Sequence, residues 1–503
     1  MISRPGSHRS PPRLIRVSRS AWPASPPRSA SRPAPPAPRP TGSHQSSPLH
    51  RLTPRLPFAR FPDFPGARHG RIHTLIPGEQ PRSRPRQIGV ADLPVTGTLP
   101  EELTGRYFRN GPNPLPGQDP GHWFTGHGMI HGLRLRDGRA EWYRNRWVRT
   151  REFTDSAPFL GPNGIDLTAV AANTSVVQHA GRILALVENG LPYEMTPELD
   201  TVGPWDFGGR LTTAMTAHPK QDPVTGELHF FGYGFFAPYL TYHRLSATGE
   251  LVDSRVVDVP GPTMIHDFAI TENHVVWLDL PVVFDMDLVG RGMPYRWDDS
   301  YGARLGVMDR GGRVTWFEVD PCYVFHVGNA REDAAGRVVL DAARYSPGAF
   351  AETWSHIGGS ANPAAGADGA RLHRWVLDPA SGAVREEQLD DRVVEFPTFN
   401  EDRLGRTSRF LYTVSSDAVV KYDAVTGVGR TRDLGARPGE AVFVPASGAR
   451  SEDDGWLLSI VTDHAGEGSE LLVLGAADLD HVASVRLPRR VPAGFHGSWI
   501  ADR

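Results

Sequence analysis

Twenty histidines and a single cysteine define the metal-binding chemistry open to this 503-residue chain. Neutral imidazole is the commonest protein ligand for transition metals. Thiol chemistry has only Cys322 to draw on, which excludes an internal disulfide and suits a reducing cytoplasm. A histidine taken at random is more often a surface or satisfied core residue than a ligand, so context has to argue for each. His122, His127 and His131 are closely spaced, but Gly126 and Gly128 flank His127. The glycines disfavour a helix that would present positions 127 and 131 on one face, and no metal is assigned to this cluster.

The elements that must position any site read as strands. From about residue 86, short apolar runs alternate with glycine-bearing turns: RILALV at 182–187, ELHFFGY at 227–233, RVVL at 337–340, FLYTV at 410–414, WLLSIV at 456–461 and ELLVL at 470–474. They are strand-length, rich in β-branched and aromatic residues, and bounded by turn residues. One turn type recurs, as DPVTG at 222–226, DPASG at 378–382, DAVTG at 423–427 and the shorter SATG at 246–249. In each, Asp or Ser can bond the backbone ahead of it and Gly supplies a positive φ. Repeated hairpins of similar build, with 53 Gly and 46 Pro, predict an all-β propeller or sandwich array.

The segment 1–85 has a different texture. It holds 15 Arg, no Lys, two acids and 19 Pro, a local charge of +13 that leaves −16 for the segment 86–503. A chain so proline-rich and apolar-poor cannot offset its ordering entropy, and 1–85 is expected to be a disordered extension. It lacks the apolar core of a secretory signal. Its arginine bias, in a chain with two lysines, fits a GC-rich coding sequence or a start site placed too far upstream; no function and no nucleic acid are assigned to it. No stretch approaches the roughly 18 apolar residues of a spanning helix, and the richest, 274–284, is broken by Asp279 and Pro281, so no membrane-spanning helix is expected.

Several strings together resemble the carotenoid cleavage oxygenase family, which includes apocarotenoid oxygenases, retinal-pigment isomerases and bacterial stilbene-cleaving enzymes. FRNGPNP at 108–114 is similar to the family's N-terminal signature, and HWFTGHGMIHGLRL at 122–135 follows it. TAHPKQDPVTGELHFFGY, MIHDFAIT, FHVGNA and FHGSWI resemble its four histidine motifs in the family's order. The likeness covers about residues 90–503 and departs at His127, where the family usually has Asp. It implies that residues 86–503 form a seven-bladed β-propeller with a helical dome over one face, enclosing an apolar tunnel to iron.

By the same resemblance, His218, His266, His326 and His496 hold Fe(2+). Their intervals along the chain, 218 to 266, 266 to 326 and 326 to 496, agree with one, one and three blades. Four neutral imidazoles suit iron(II) and leave up to two positions of an octahedral ion free for dioxygen or water, whereas structural zinc would be closed at four ligands. Glu188 in ALVENG, Glu395 in VVEFP and Glu440 in GEAVFVP would orient His266, His326 and His496 through their second ring N–H. Thr174 in NTSVV matches a family position beside an open coordination site.

The reaction implied is oxidative cleavage of one conjugated C=C bond of a carotenoid or apocarotenoid by O2, giving two carbonyl products. The alternative substrate is a stilbene. Stilbene-cleaving relatives look to engage the phenol with a lysine early in the fold, and the corresponding stretch here, NRWVRTREF at 145–153, has none. Isomerohydrolase activity is not expected. A metallohydrolase would mix carboxylates into its ligand set, and a metal-free binding module would leave four histidines at blade spacing unexplained. Phe124, Phe235, Phe236, Tyr239, Phe284 and Trp354 are candidates for the tunnel wall. GFFAPYL at 234–240 and LPVVFDM at 280–286 are candidates for an apolar rim, giving a cytoplasmic protein with peripheral membrane contact.

Overall fold

Seven antiparallel sheets of four or more strands succeed one another through the computed structural model, which describes residues 87–502 apart from 119–120, 163, 359–367 and 428. The basic segment 1–85 lies outside the described residues. The apolar runs form the middle strands of these sheets: Arg182–Leu186, Leu228–Tyr233, Val338–Tyr345, Phe410–Val414, Gly455–Asp463 and Ser469–Gly475. Outer strands are half-wetted, and Leu251–Val257 alternates its exposure as a strand with one dry face should.

The recurrent turns do what their residues suggest. Asp222 Oδ1 accepts from the amides of Val224 and Thr225 at 2.8 and 3.2 Å, and Asp378 and Asp423 repeat the pattern two and three positions on. The closing glycines of all four turns, Gly226, Gly249, Gly382 and Gly427, have φ between +68° and +84°, a region where a Cβ would be strained.

The ring of sheets is a seven-bladed β-propeller, closed at two places. The C-terminal strand Gly497–Ala501 pairs with Gly105–Arg109 as the innermost strand of the first sheet, in register from Gly105–Ala501 to Arg109–Gly497. Val95–Gly97 in turn joins the last sheet against His481–Arg486. The innermost strands of the seven blades are Gly497–Ala501, Ser175–His179, Lys220–Gln221, Ala269–Ile270, Tyr323–Glu332, Glu395–Thr398 and Val442–Pro445. Together they line an axial cavity of about 470 Å³.

Blades pack through aromatic contacts between neighbouring sheets. Between the third and fourth, Trp277 lies 5.6 Å from Phe268, stacked, and 5.8 Å from Phe231, edge-on, with Tyr242 at 6.0 Å. The dome above the ring is lean in helix. It contains Arg151–Asp155, capped by Thr150, and Pro347–His356, capped by Ser346 with Pro at the first position, where its missing N–H costs nothing. A two-stranded ribbon, Val282–Phe284 with Tyr295–Trp297, and irregular connections supply the rest; the β-branched pair Val282–Val283 favours that ribbon over helix.

Trp277→Ala removes the side chain shared by both sheets and is expected to cost about 3–5 kcal/mol. Its chemical denaturation midpoint should fall accordingly; a shift equivalent to less than about 1 kcal/mol would contradict this packing role.

Candidate metal centre

The four histidines of the recognised motifs meet on the propeller axis. Each sits at the entry to, or within, an innermost strand: His218 before Lys220–Gln221, His266 before Ala269–Ile270, His326 in Tyr323–Glu332, and His496 before Gly497–Ala501. Those strands belong to the third, fourth, fifth and first blades, so the sequence intervals correspond to one, one and three steps around the ring. One ring nitrogen from each comes within 4.8 Å of all the others, the one such group found among the described residues. The His218 and His266 Nε2 atoms are 3.0 Å apart, the spacing of two adjacent ligands on one ion with bonds of about 2.1 Å.

Three carboxylates fix which nitrogen faces inward. Glu188 Oε2 is 2.5 Å from His266 Nδ1, Glu395 Oε2 is 2.6 Å from His326 Nδ1, and Glu440 Oε1 is 3.0 Å from His496 Nδ1. A carboxylate only accepts, so Nδ1 carries the hydrogen in each ring and the Nε2 lone pair points to the common centre. Among the described residues no carboxylate bonds the ring of His218. Burial holds its pKa well below the ordinary range, reinforced by the neighbouring imidazoles. His496 is also lowered by burial, against the pull of Glu440. His326 goes the other way: burial opposes its charged form, but Glu395 more than compensates and raises it, while Glu395 itself is lowered by His326 despite its burial.

Each carboxylate is held by a second bond. The Tyr233 hydroxyl donates to Glu188 Oε1 at 2.7 Å, the Tyr345 hydroxyl to Glu395 Oε1 at 2.9 Å, and the Gly497 amide to Glu440 Oε2 at 2.7 Å. Phe396 donates its amide to Glu395 Oε2 at 2.6 Å while its own ring stacks 4.9 Å from His326. Its φ of +51° is rare for a bulky residue and persists only where surroundings impose it. Asp267, next to His266, joins three histidine segments: it accepts the Val327 amide at 2.8 Å and pairs with Lys220 Nζ at 2.8 Å. Sequence reading missed Tyr233, Tyr345, Phe396 and Asp267. The only signal for Phe396 and Asp267 is adjacency to Glu395 and His266, and nothing in spacing ties Tyr345 to its glutamate on the next blade.

Thr174 stands at the entry to Ser175–His179, the innermost strand of the second blade, and its carbonyl accepts the His496 amide at 3.3 Å. Its hydroxyl donates to Asn173 Oδ1 at 3.1 Å. The histidines of 122–131 serve unrelated ends: His122 Nδ1 accepts the Phe124 amide at 3.0 Å, His131 Nδ1 meets the Tyr143 hydroxyl at 2.8 Å, and the His127 ring abuts Phe153.

Aromatic side chains cover the centre from the dome side. Phe124 stacks 6.4 Å from His266 and touches Phe325, Trp354 and Phe495 at 5.9, 6.0 and 5.5 Å. Phe235 stacks on Phe284 at 4.3 Å. The axial cavity reaches His218, His326 and His496 along walls of mixed character that include Asp267, Glu401 and Glu440. The centre thus lies between an aromatic cover and the axial cavity.

Comparison with known proteins agrees with this architecture. The sequence pattern of the retinal pigment epithelial membrane protein family, RPE65, matches residues 82–501. A carotenoid cleavage oxygenase of Mycobacterium tuberculosis is 40% identical, over 82% of this chain and 95% of its own. The carotenoid 9,10(9',10')-cleavage dioxygenase 1 of Arabidopsis thaliana is 35% identical, over 82% of this chain and 87% of its own. Among solved structures, the lignostilbene dioxygenase of Pseudomonas brassicacearum superposes with a TM-score of 0.74 at 28% identity, covering 84% of this chain and 97% of that one. Ring, axial histidines and sequence pattern lead to one conclusion: the chain belongs to the RPE65 family of carotenoid cleavage oxygenases.

Proposed function

We propose that this protein is an iron(II) dioxygenase that cleaves one conjugated C=C bond of a carotenoid or apocarotenoid. The observation that carries the reading is the set of four inward ring nitrogens within 4.8 Å, three of them on rings backed by carboxylates. His218, His266, His326 and His496 would hold the ion, and iron there would supply activation of O2 for addition of both oxygen atoms across the double bond. An all-imidazole set suits iron(II) and, with four ligands, leaves positions free. Three carboxylates placed one bond outward balance the ion's charge without occupying a position on it. Thr174, one residue before the second blade's inner strand, would lie near a position of the ion left free by the histidines.

The remaining residues position substrate and exclude water. Phe124, Phe325 and Phe495 form an apolar wall against the histidines, where a polyene would lie with one double bond beside the ion. Fixing that register is how the enzyme selects a bond. A stilbene is the second reading, supported by the likeness to lignostilbene dioxygenase. Against it, both lysines are committed elsewhere: Lys220 to Asp267 at 2.8 Å, and Lys421 to Asp453 at 2.5 Å and the Ala477 carbonyl at 2.8 Å. No lysine is therefore available in 145–153 to engage a phenol. Apolar rim residues Phe236, Met286 and Val289, 64%, 48% and 40% exposed, are suited to contact a membrane surface holding such a substrate.

Three measurements test this. Enzyme reconstituted anaerobically with Fe(II) should bind one iron per chain and convert a carotenoid or apocarotenal into two carbonyl products identifiable by mass, each carrying one oxygen from 18O2; cleavage of resveratrol alone would overturn the substrate assignment. Glu395→Gln should weaken iron binding by about 10–100-fold, read by metal competition, with the fold retained by circular dichroism. Phe236→Glu should reduce co-sedimentation with phosphatidylcholine vesicles severalfold, and unchanged sedimentation would remove the rim from any part in substrate uptake.

A further inference from the structure

The axial cavity has a second end, and the acids placed there have no structural task. Its walls continue from the histidines down the innermost strands, from His326 to Ala330 and from His496 to Ile500, about 13 Å at the rise of a strand. At that far end it is bounded by Gln221, Pro445, Glu401 and Asp402, all of them exposed. Four carboxylates and one lysine line the whole cavity. Asp267 is committed to Lys220 and the Val327 amide, and Glu440 to His496 and the Gly497 amide. The side chains of Glu401 and Asp402 accept no hydrogen bond and make no ion pair among the described residues. With Lys220 already paired, they leave the cavity with an excess of negative charge.

These two acids are held firmly in place. Glu401–Arg403 is a single 3-10 turn capped by Asn400, whose Oδ1 accepts the Asp402 amide at 3.1 Å and whose Nδ2 donates to the Glu452 carbonyl at 3.0 Å. Asn329, on the strand that carries His326, donates to the carbonyls of Arg403 and Arg406, both at 3.0 Å, and accepts the Gly405 amide at 3.1 Å. The acidic turn is therefore braced against the histidine centre itself. Burial raises the pKa of Glu401 against the pull of Lys220, and Glu440 and Asp402 push the same way as burial. Its exposed surface thus faces enclosed space, and crowding of like charges is what a bound cation relieves.

The inner end of the cavity offers the matching acceptors. His496, 8% exposed, spends Nδ1 on Glu440 and has no hydrogen-bond partner for Nε2 among the described residues. His218 and His326 share the same wall, while His266, stacked under Phe124, does not. On the aromatic side, Phe124, Phe325 and Phe495 present no oxygen to replace the water a cation sheds, and an uncompensated charge pays heavily to leave water. A carboxylate-lined cleft, in contrast, concentrates cations and speeds their capture.

We propose that the axial cavity is the route by which the metal enters, with Glu401 and Asp402 as a transient capture site that passes a divalent cation inward to His218, His326 and His496. This rests on the reading of the four histidines as a metal centre.

The test uses full-length protein stripped of metal and mixed with cobalt(II) at low ionic strength. Portions are quenched with excess EDTA at set times and desalted, and the bound cobalt is counted by mass spectrometry. Combining Glu401→Gln with Asp402→Asn should slow uptake about tenfold. Release of bound cobalt to excess chelator should slow by a similar factor, because a group that eases passage eases it in both directions. The final cobalt content should stay at one per chain, which separates slow entry from failure to fold. Added salt should slow uptake by the unaltered protein more than by the double variant. Glu318→Gln, on the outermost strand of the fourth blade, should change neither rate. Unchanged uptake in the double variant, or equal slowing in Glu318→Gln, would overturn the proposal. So would faster release with weaker binding, which would make the two carboxylates part of the final site rather than of the route. Protein that never binds cobalt refutes the metal centre and the route together. Uptake that behaves as expected, in a protein whose iron form cleaves no polyene, refutes the dioxygenase reading and leaves the route standing.

Discussion

Four imidazole lone pairs aimed at one point in a buried space are the constraint around which the rest of the molecule is organised. Such an arrangement is unfavourable by itself, because lone pairs repel and each nitrogen has given up water. It persists because every ring but one is locked by a carboxylate, and each carboxylate is locked again by a tyrosine hydroxyl or a backbone amide. The order of control runs outward, from nitrogen to glutamate to the strand that carries its anchor. His218 lacks such a carboxylate among the described residues, and its loop is tied in instead through Lys220 and Asp267.

The propeller suits that task for a geometric reason. Each blade presents the beginning of its innermost strand to the axis, so ligands can be drawn from blades far apart in sequence without bending any of them. Every blade but the second contributes a histidine or a glutamate to the centre from such an entry or strand, and in the second Thr174 occupies the equivalent place. Only Glu188 reaches in from the end of a second strand, after Arg182–Leu186, where the Tyr233 hydroxyl meets it.

How much of this is legible in the sequence depends on whether the information is local. Strand runs and Asp–Gly turns carry their physics within a single turn or strand, and they fold as they read. The histidines and glutamates are legible through their surrounding strings, since FHVGNA or VVEFP names a place in a fold that spacing alone could not. Contacts between such places leave no trace. Tyr345 and Glu395 lie on adjacent blades, Asp267 bonds the amide of Val327 from another blade, and His122 meets Trp354 from the far side of several intervening blades in sequence. Phe396 is a different case: its positive φ is imposed by the site, and a phenylalanine gives no local hint of it.

The strand that closes the ring begins immediately after His496. Three of the four histidines therefore lie on consecutive blades formed from the middle of the chain, while the fourth comes into place when Gly497–Ala501 docks beside Gly105–Arg109. A partly assembled ring would offer three imidazoles and a complete one offers four. Through RT ln(1 + [L]/Kd), a metal that prefers the complete set would favour the closed ring, so closure of the ring and arrival of the fourth imidazole are one movement.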